Sequence, residues 1–159
     1  MSDGPELTHL DARGEARMVG VGHKPVVSRR AVAEALVRMA PASARAMSEG
    51  ALPKGDAAAV ARVAGIMAAK RTPDLIALCH PLPIDRAGVE VTVDADAGLV
   101  RIRAEVETTA RTGVEMEALT AATVAALNVY DLVKGIDKHI VIESVRLLEK
   151  TKGAAPEDP

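Results

Sequence analysis

The stretch VEVTVDADAGLVRIRAEVET, residues 89–108, constrains the fold more than any other part of the chain, because apolar and polar side chains alternate along it. An alternation with a period of two is typical of half-buried β-strands. It is interrupted at residues 96–98, Asp-Ala-Gly, which are common turn residues. The stretch therefore predicts an antiparallel hairpin with one buried face. On the opposite, polar face, Arg101 and Arg103 are expected to pair with acidic side chains of the first strand.

Upstream of the hairpin, the pattern predicts one strand followed by helices. The apolar stretch MVGVG, residues 18–22, indicates the strand. Ser28 offers an N-cap to residues 29–40, RRAVAEALVRMA, whose larger apolar side chains recur at helical spacing. Two further helices are expected at residues 41–50 and 57–70.

Downstream of the hairpin, residues 114–136 carry a long helical pattern, and residues 139–150 read as a last strand. The resulting order is strand, helices, two strands, helix and strand. This order predicts an α+β fold of the ferredoxin-like split βαβ type, an antiparallel sheet with helices packed on one face. We expect a single domain over residues 1–159, with a core at about 7–153 and flexible polar tails at both ends.

Composition narrows the classes of function. The formal net charge of −2 favours neither a nucleic-acid nor a membrane partner, and with one Tyr and no Phe or Trp the chain lacks the aromatics of RNA-binding sheets. Neither the P-loop pattern nor the dinucleotide fingerprint occurs. The single Cys and the absence of an apolar leader pattern predict a cytoplasmic location.

The long helix carries polar side chains along one arc, at about 100° per residue. They are Glu117, Thr120, Asn128, Asp131, Lys134 and Lys138. Asp131 and Lys134 are three residues apart and can form an ion pair. The arc is either a solvated helix face or part of a ligand site. Glu115 and Glu117 near the helix start favour the second interpretation, because carboxylates there can bind hydrogen-bond donors of a ligand.

A tight turn in LPKGD places Lys54 just outside a predicted helix start, where the helix dipole favours the neutral form of an amine. Lys54 is therefore either a proton carrier or an ordinary surface lysine.

The stretch DLIALCHPLP contains the only cysteine of the chain, Cys79, next to His80. Zinc is not expected, because no second pair of ligands lies at a suitable spacing. A nucleophile pair is not expected either, because adjacent side chains diverge. The stretch instead indicates a loop stiffened by Pro81 and Pro83, in which His80 either binds an anion or has a structural role.

Several basic residues could converge on a phosphate group. They are Lys24, Arg29, Lys54, Lys70, Arg71, His80, Arg111, Lys134, Lys138 and Lys150.

Three longer stretches together resemble one known family. They are LTHLDARGEARMV, LPKGDAAAVARVAGIMAAKRTPDLIALCHPLP and RTGVEMEALTAATVAALNVYDLVKGIDKHIVIESVRLLEK, within residues 7–153. The order KGD, KRT-DLI-LCHP, TGVEMEAL and YD--K is similar to the cyclic pyranopterin monophosphate synthase family, also called molybdenum cofactor biosynthesis protein C. Ala77 stands where that family commonly has proline, and Gly20 where it commonly has aspartate.

The resemblance implies a lyase of molybdenum cofactor biosynthesis. Its substrate is expected to be (8S)-3',8-cyclo-7,8-dihydroguanosine 5'-triphosphate, called cyclic dihydro-GTP below, which it converts to cyclic pyranopterin monophosphate with release of pyrophosphate. The resemblance implies Asp131 as the catalytic carboxylate, with Lys54 and Lys134 as proton-transfer partners.

The same resemblance implies a set of substrate-binding residues. Three of them, Arg29, Lys24 and Lys150, are basic and are expected near the triphosphate. The set is Leu78, Cys79, His80, Met116, Glu117, Glu115, Arg29, Lys24 and Lys150. No tightly bound cofactor or protein-held metal is implied, although Mg²⁺ could accompany the triphosphate. A homohexamer, a trimer of dimers, is implied, with sites at subunit interfaces where Lys54 and Asp131 could meet across subunits.

Two other classes of function are compatible with parts of the pattern. One is a non-catalytic nucleotide- or pterin-binding module, and the other is a purely structural oligomer. The presence of Lys54, Asp131 and Lys134 together favours the enzyme.

Overall fold

The computed structural model describes residues 10–11 and 13–153, which fold around one four-stranded antiparallel sheet in the order β2-β3-β1-β4. The strands are β1 (Val27–Arg38), β2 (Arg86–Asp94), β3 (Leu99–Ala110) and β4 (Val141–Lys152). The helices are α1 (Pro41–Ser48), α2 (Ala57–Lys70), α3 (Thr72–Leu75) and α4 (Glu115–Val133). The predicted polar tails fall almost wholly on residues 1–9 and 154–159, outside the described ranges.

The order of elements and the strand order confirm the predicted α+β, ferredoxin-like split βαβ fold. β1 is central and pairs antiparallel with β3 on one side and β4 on the other, while β2 and β3 form the predicted hairpin. The hairpin turn ends at Gly98, whose φ of 63° lies in the left-handed region. A Cβ at Gly98 would overlap the Met39 carbonyl, so the turn also needs glycine for the close approach of the chain after β1.

The first strand was predicted in the wrong place. Residues 18–22 run as irregular chain, and residues 29–40, predicted as a helix that Ser28 caps, lie almost entirely in β1. On the helix-facing side of β1, alternate residues are fully buried, namely Ala31, Ala33, Ala35 and Val37. The helical spacing of the larger side chains was misleading because a central strand has apolar residues on both faces.

α1, α2, α4 and the last strand follow the sequence pattern closely, whereas the short helix α3 was not predicted. Asp56 caps α2 by accepting a hydrogen bond from the Ala59 N–H at 2.9 Å. Arg101 and Arg103, however, do not pair with β2. Arg101 binds Glu34 on β1, and Arg103 binds Glu105 on its own strand at 3.1 Å. The central strand supplies a buried carboxylate at Glu34, and this partner outcompetes the exposed acids of the edge strand.

The core is built from small aliphatic side chains, which lets the helices approach each other closely. At Gly65 on α2, an added Cβ would lie 2.9 Å from the Ala121 carbonyl of α4. α4 is long and apolar enough to cross a membrane by length and composition, but 56% of that window is buried inside the fold. α4 is therefore the core helix that lies across the sheet, and its two ends carry the candidate site.

Candidate active site

A cleft of about 360 Å³ lies at the N-terminal end of α4. Its walls come from the irregular segment before β1, from the CHPLP loop and from the turn that leads into α4. The lining residues are Val19, Val21, Lys24, Leu78, Cys79, His80, Thr112, Gly113, Glu115 and Met116. Six of the nine residues predicted to bind substrate therefore meet around one space.

The CHPLP loop is held at the cleft by side-chain contacts on both sides. His80 donates from Nε2 to the Val19 carbonyl at 2.8 Å. The Cys79 thiol donates to Glu117 Oε1 at 3.5 Å. His80 therefore both binds a backbone carbonyl and lines the cleft in which a ligand could bind.

Cys79 is poorly suited to act as a nucleophile. Burial, and then the adjacent Glu117 carboxylate, raise the pKa of the thiol to about 11. The thiol therefore stays protonated near neutral pH, and only the thiolate is a strong nucleophile.

Glu117, one of the residues of the predicted polar arc, is buried and therefore does not lie on a solvated helix face. Its side chain is 1% exposed, and Thr120 one turn further on is buried too. Burial raises the pKa of Glu117, and Oε2 has no hydrogen-bond partner among the described residues. A buried carboxyl group behind the cleft is thus held closer to its neutral form than an ordinary glutamate.

A second cleft, of about 260 Å³, adjoins the first and shares Gly113 and Glu115 with it. It contains Arg29 and Lys150, the two predicted triphosphate-binding residues that the first cleft lacks. Lys150 Nζ lies 3.2 Å from Glu115 Oε1. The adjoining clefts thus lie at the N-terminus of α4 and are lined by cations, a combination that favours anions.

The three predicted catalytic residues meet at the opposite end of α4. Asp131 Oδ1 lies 2.6 Å from Lys134 Nζ, and Asp131 Oδ2 lies 3.3 Å from Lys54 Nζ. Lys54 also donates to the Asp131 carbonyl at 3.0 Å. All three residues belong to one chain, so the contact between Lys54 and Asp131 does not need two subunits.

The electrostatics of this cluster set its resting charges. Hydrogen bonds from Lys134 and Lys54 lower the pKa of Asp131, and the hydrogen bond to Asp131 raises the pKa of Lys134. Near neutral pH the carboxylate is therefore ionised and Lys134 is protonated. The side chains are about half exposed, at 48% for Lys54, 54% for Asp131 and 51% for Lys134, so they are accessible to a ligand.

Within one chain, the clefts and the charged cluster are far apart. Met116 and Asp131 are 15 residues apart on α4, which at 1.5 Å per residue corresponds to about 22 Å. The residues predicted from the sequence thus form two groups and not one.

Some lining residues were not predicted. Val19 and Val21 were assigned to a strand, and Thr112 and Gly113 directly precede the helix that was predicted to begin at residue 114. Their position directly before Glu115 is the sequence signal that could have identified Thr112 and Gly113, since a helix N-terminus favours anions.

Within residues 10–11 and 13–153, no group of three or more His, Cys, Asp or Glu side chains is placed to hold a metal ion.

An α+β fold with an anion-attracting cleft and an accessible Asp–Lys cluster defines an enzyme that acts on a small anionic molecule. The family model described as the MoaC family matches residues 18–153. The chain belongs to this family, as the sequence motifs predicted.

Relatives with curated names agree over nearly the whole chain. A "Cyclic pyranopterin monophosphate synthase" of Herpetosiphon aurantiacus is 55% identical over 148 residues, 93% of this chain and 90% of that protein. Proteins of the same name from Nostoc sp. and Roseiflexus castenholzii are 54% and 53% identical, covering 92% and 96% of this chain and 88% and 96% of theirs.

Proposed function

We propose that this chain is a lyase that converts cyclic dihydro-GTP to cyclic pyranopterin monophosphate with release of pyrophosphate, an early step of molybdenum cofactor biosynthesis. The observation that carries the proposal is the match along residues 18–153 to a family whose similar members bear that enzyme's name. The two groups of candidate residues provide the chemistry that such a reaction needs.

The adjoining clefts suit the triphosphate of the substrate. Lys24, Arg29 and Lys150 supply cations around them, and Thr112 and Gly113 precede the N-terminus of α4. Lys150 is paired with Glu115 at the rim of the smaller cleft, and its side chain is exposed, so its ammonium can also reach a phosphate group bound there.

The Asp131 cluster suits the proton transfers. Opening the imidazole ring and rebuilding it as a pterin needs groups that donate and accept protons. Lys134, protonated at rest beside Asp131, is placed to donate a proton, and Asp131 keeps both lysines oriented. Lys54 is the second proton-transfer partner in this proposal.

We propose that each site is completed by a second copy of the chain, in a hexamer that is a trimer of dimers. Support comes from the separation of about 22 Å along α4 between the cleft and the cluster, which is too long for one small substrate to bridge. Apolar side chains on the outer surface of α2 to α4 are also exposed well beyond what a small soluble domain needs. They are Val60, Val63, Met67, Leu75 and Leu127.

We further propose that the enzyme binds no cofactor tightly, that any Mg²⁺ is held through the substrate phosphates, and that it acts in the cytoplasm. The lone cysteine, which suits a reducing compartment, supports that location.

The proposed function is tested by incubating the purified protein with cyclic dihydro-GTP. Pyrophosphate and a pterin that fluoresces after oxidation should be formed in equal amounts. Substrate binding without either product would instead support a binding module, and the absence of binding would reject both.

A further inference from the structure

Residues 18–26, called the N-terminal segment below, form one wall of the larger cleft without being part of the sheet. The ladder between β1 and β3 begins only at Val27, which pairs with Ala110. Within the segment, one backbone hydrogen bond runs from the Lys24 N–H to the Val21 carbonyl at 3.0 Å. The segment contains Gly20 and Gly22, so its backbone has little intrinsic order.

Two side chains from elsewhere in the fold fasten this segment. His80 donates to the Val19 carbonyl at 2.8 Å. Arg111 Nη1 donates to two carbonyls, those of Gly22 at 2.9 Å and of Lys24 at 2.5 Å. One guanidinium nitrogen thus contacts two carbonyls of the turn that carries Lys24.

Arg111 is itself held in place from the sheet. It directly follows β3, and the Arg29 guanidinium donates to its carbonyl at 3.1 Å and to the Ala110 carbonyl at 3.2 Å. Arg29 lines the smaller cleft and Lys24 the larger one. Arg111 lines neither cleft. Its side chain binds backbone carbonyls of the segment and does not face the space in which a ligand would bind.

We propose that Arg111 is a positioning residue for substrate binding, which acts by holding the N-terminal segment, and with it Lys24, against the cleft. The inference rests on the proposed function, because Lys24 is taken there to contact the triphosphate. Losing both hydrogen bonds from this charged donor loosens the turn, which then keeps its own Lys24–Val21 bond and the His80 contact at Val19. Lys24 then has to be ordered each time the substrate binds, which weakens binding and leaves the chemistry at Asp131 unchanged.

The test combines steady-state kinetics with hydrogen exchange on Arg111→Ala, Lys24→Ala and the double variant. We expect Arg111→Ala to raise KM about tenfold with kcat nearly unchanged. Because Arg111 acts through Lys24, the double variant should have the KM of the more impaired single variant. Effects that multiply would overturn the proposal, since Arg111 would then act independently of Lys24. An unchanged KM would overturn it as well.

Hydrogen exchange on the substrate-free protein gives a readout that does not depend on the reaction. The Lys24 amide, which donates to the Val21 carbonyl, should exchange about tenfold faster in Arg111→Ala, while the amides of α4 keep their rates. Unchanged exchange at Lys24 would contradict the fastening role even if KM rose. If the wild-type protein does not turn over the substrate, the proposed function fails, and the exchange experiment still decides whether Arg111 orders the segment.

Two further variants protect the test against misfolding. Arg111→Lys keeps a charged donor that can reach one carbonyl, and it should restore part of the lost affinity if holding the turn is what matters. Arg45→Ala is the matched control, because among the described residues the Arg45 side chain pairs only with the exposed Asp96, at 3.0 Å and away from the clefts. Loss of affinity in Arg45→Ala equal to that in Arg111→Ala would overturn the assignment.

Discussion

Asp131 lies between two lysines, with Lys134 Nζ 2.6 Å from Oδ1 and Lys54 Nζ 3.3 Å from Oδ2. The cluster is half exposed, so it contributes little to stability, because solvent screens surface ion pairs. An arrangement that adds little stability yet concentrates three charged groups is better explained by chemistry than by folding.

The first prediction concerns the carboxylate. Asp131→Asn keeps the shape of the side chain and removes its charge, so turnover should fall at least about a hundredfold with an unchanged melting temperature. Asp96→Asn, at the exposed hairpin turn, is the matched control and should behave like the wild-type protein. Turnover within threefold of wild type in Asp131→Asn would remove Asp131 from the mechanism.

The second prediction separates two roles for Lys54. If Lys54 carries a proton, Lys54→Ala lowers kcat about a hundredfold with little change in KM. If it only binds phosphate, KM rises and kcat is kept. We expect the first result. Lys70→Ala, an exposed lysine at the C-terminal end of α2, should change neither constant.

The third prediction tests the proposed shared site. Asp131→Asn and Lys150→Ala protomers should each be inactive alone. If each site takes Asp131 from one subunit and Lys150 from another, unfolding and refolding an equal mixture should restore about a quarter of the sites. Light scattering should show a hexamer for every variant. Hexamers that remain inactive after mixing would indicate that both groups act within one chain.

The fourth prediction follows from the raised pKa of Glu117. Because the folded protein binds this proton more tightly than the unfolded chain does, the free energy of unfolding should fall as pH rises above the ordinary glutamate pKa towards the folded value. Glu117→Gln mimics the neutral form, so its melting temperature should depend less on pH over that interval. A wild-type stability that rises over the same interval would show that Glu117 is held ionised.

The fifth prediction concerns Cys79, whose pKa is raised to about 11. Alkylation by iodoacetamide should be slow at pH 8 and should accelerate only as the pH approaches that pKa. Cys79→Ser should retain turnover, because a hydroxyl can still donate to Glu117. Rapid alkylation at neutral pH would indicate a thiolate and reopen the question of nucleophilic catalysis.

Local patterns were sufficient for much of the fold. The alternation in residues 89–108 gave the hairpin, and the cap at Asp56 gave the start of α2. β1 was mistaken for a helix because a central strand is covered on both faces: Val32 and Glu34 on one side are as buried as Ala33 on the other. A strand buried on both faces lacks the simple alternation of a strand with one more exposed face, which β3 keeps although it too lies inside the sheet.

The candidate site was predictable from motifs but not from spacing. Lys54 and Asp131 are 77 residues apart in the chain and meet only because α2 and α4 pack side by side. The motifs KGD and YD--K, which resemble those of a known family, pointed to both residues. Without that resemblance, Lys54 could be either a surface lysine or a proton carrier. The contacts of Arg111 are with backbone carbonyls, which carry no side-chain signature, so no sequence pattern could indicate them.

The most direct test of the central claim is a single-turnover experiment with cyclic dihydro-GTP, in which pyrophosphate and the oxidised pterin are quantified in the same samples. The wild-type protein should form both in equal amounts, and Asp131→Asn should bind the substrate and form neither. Equal product formation by the two proteins, or pyrophosphate without pterin, would contradict the account.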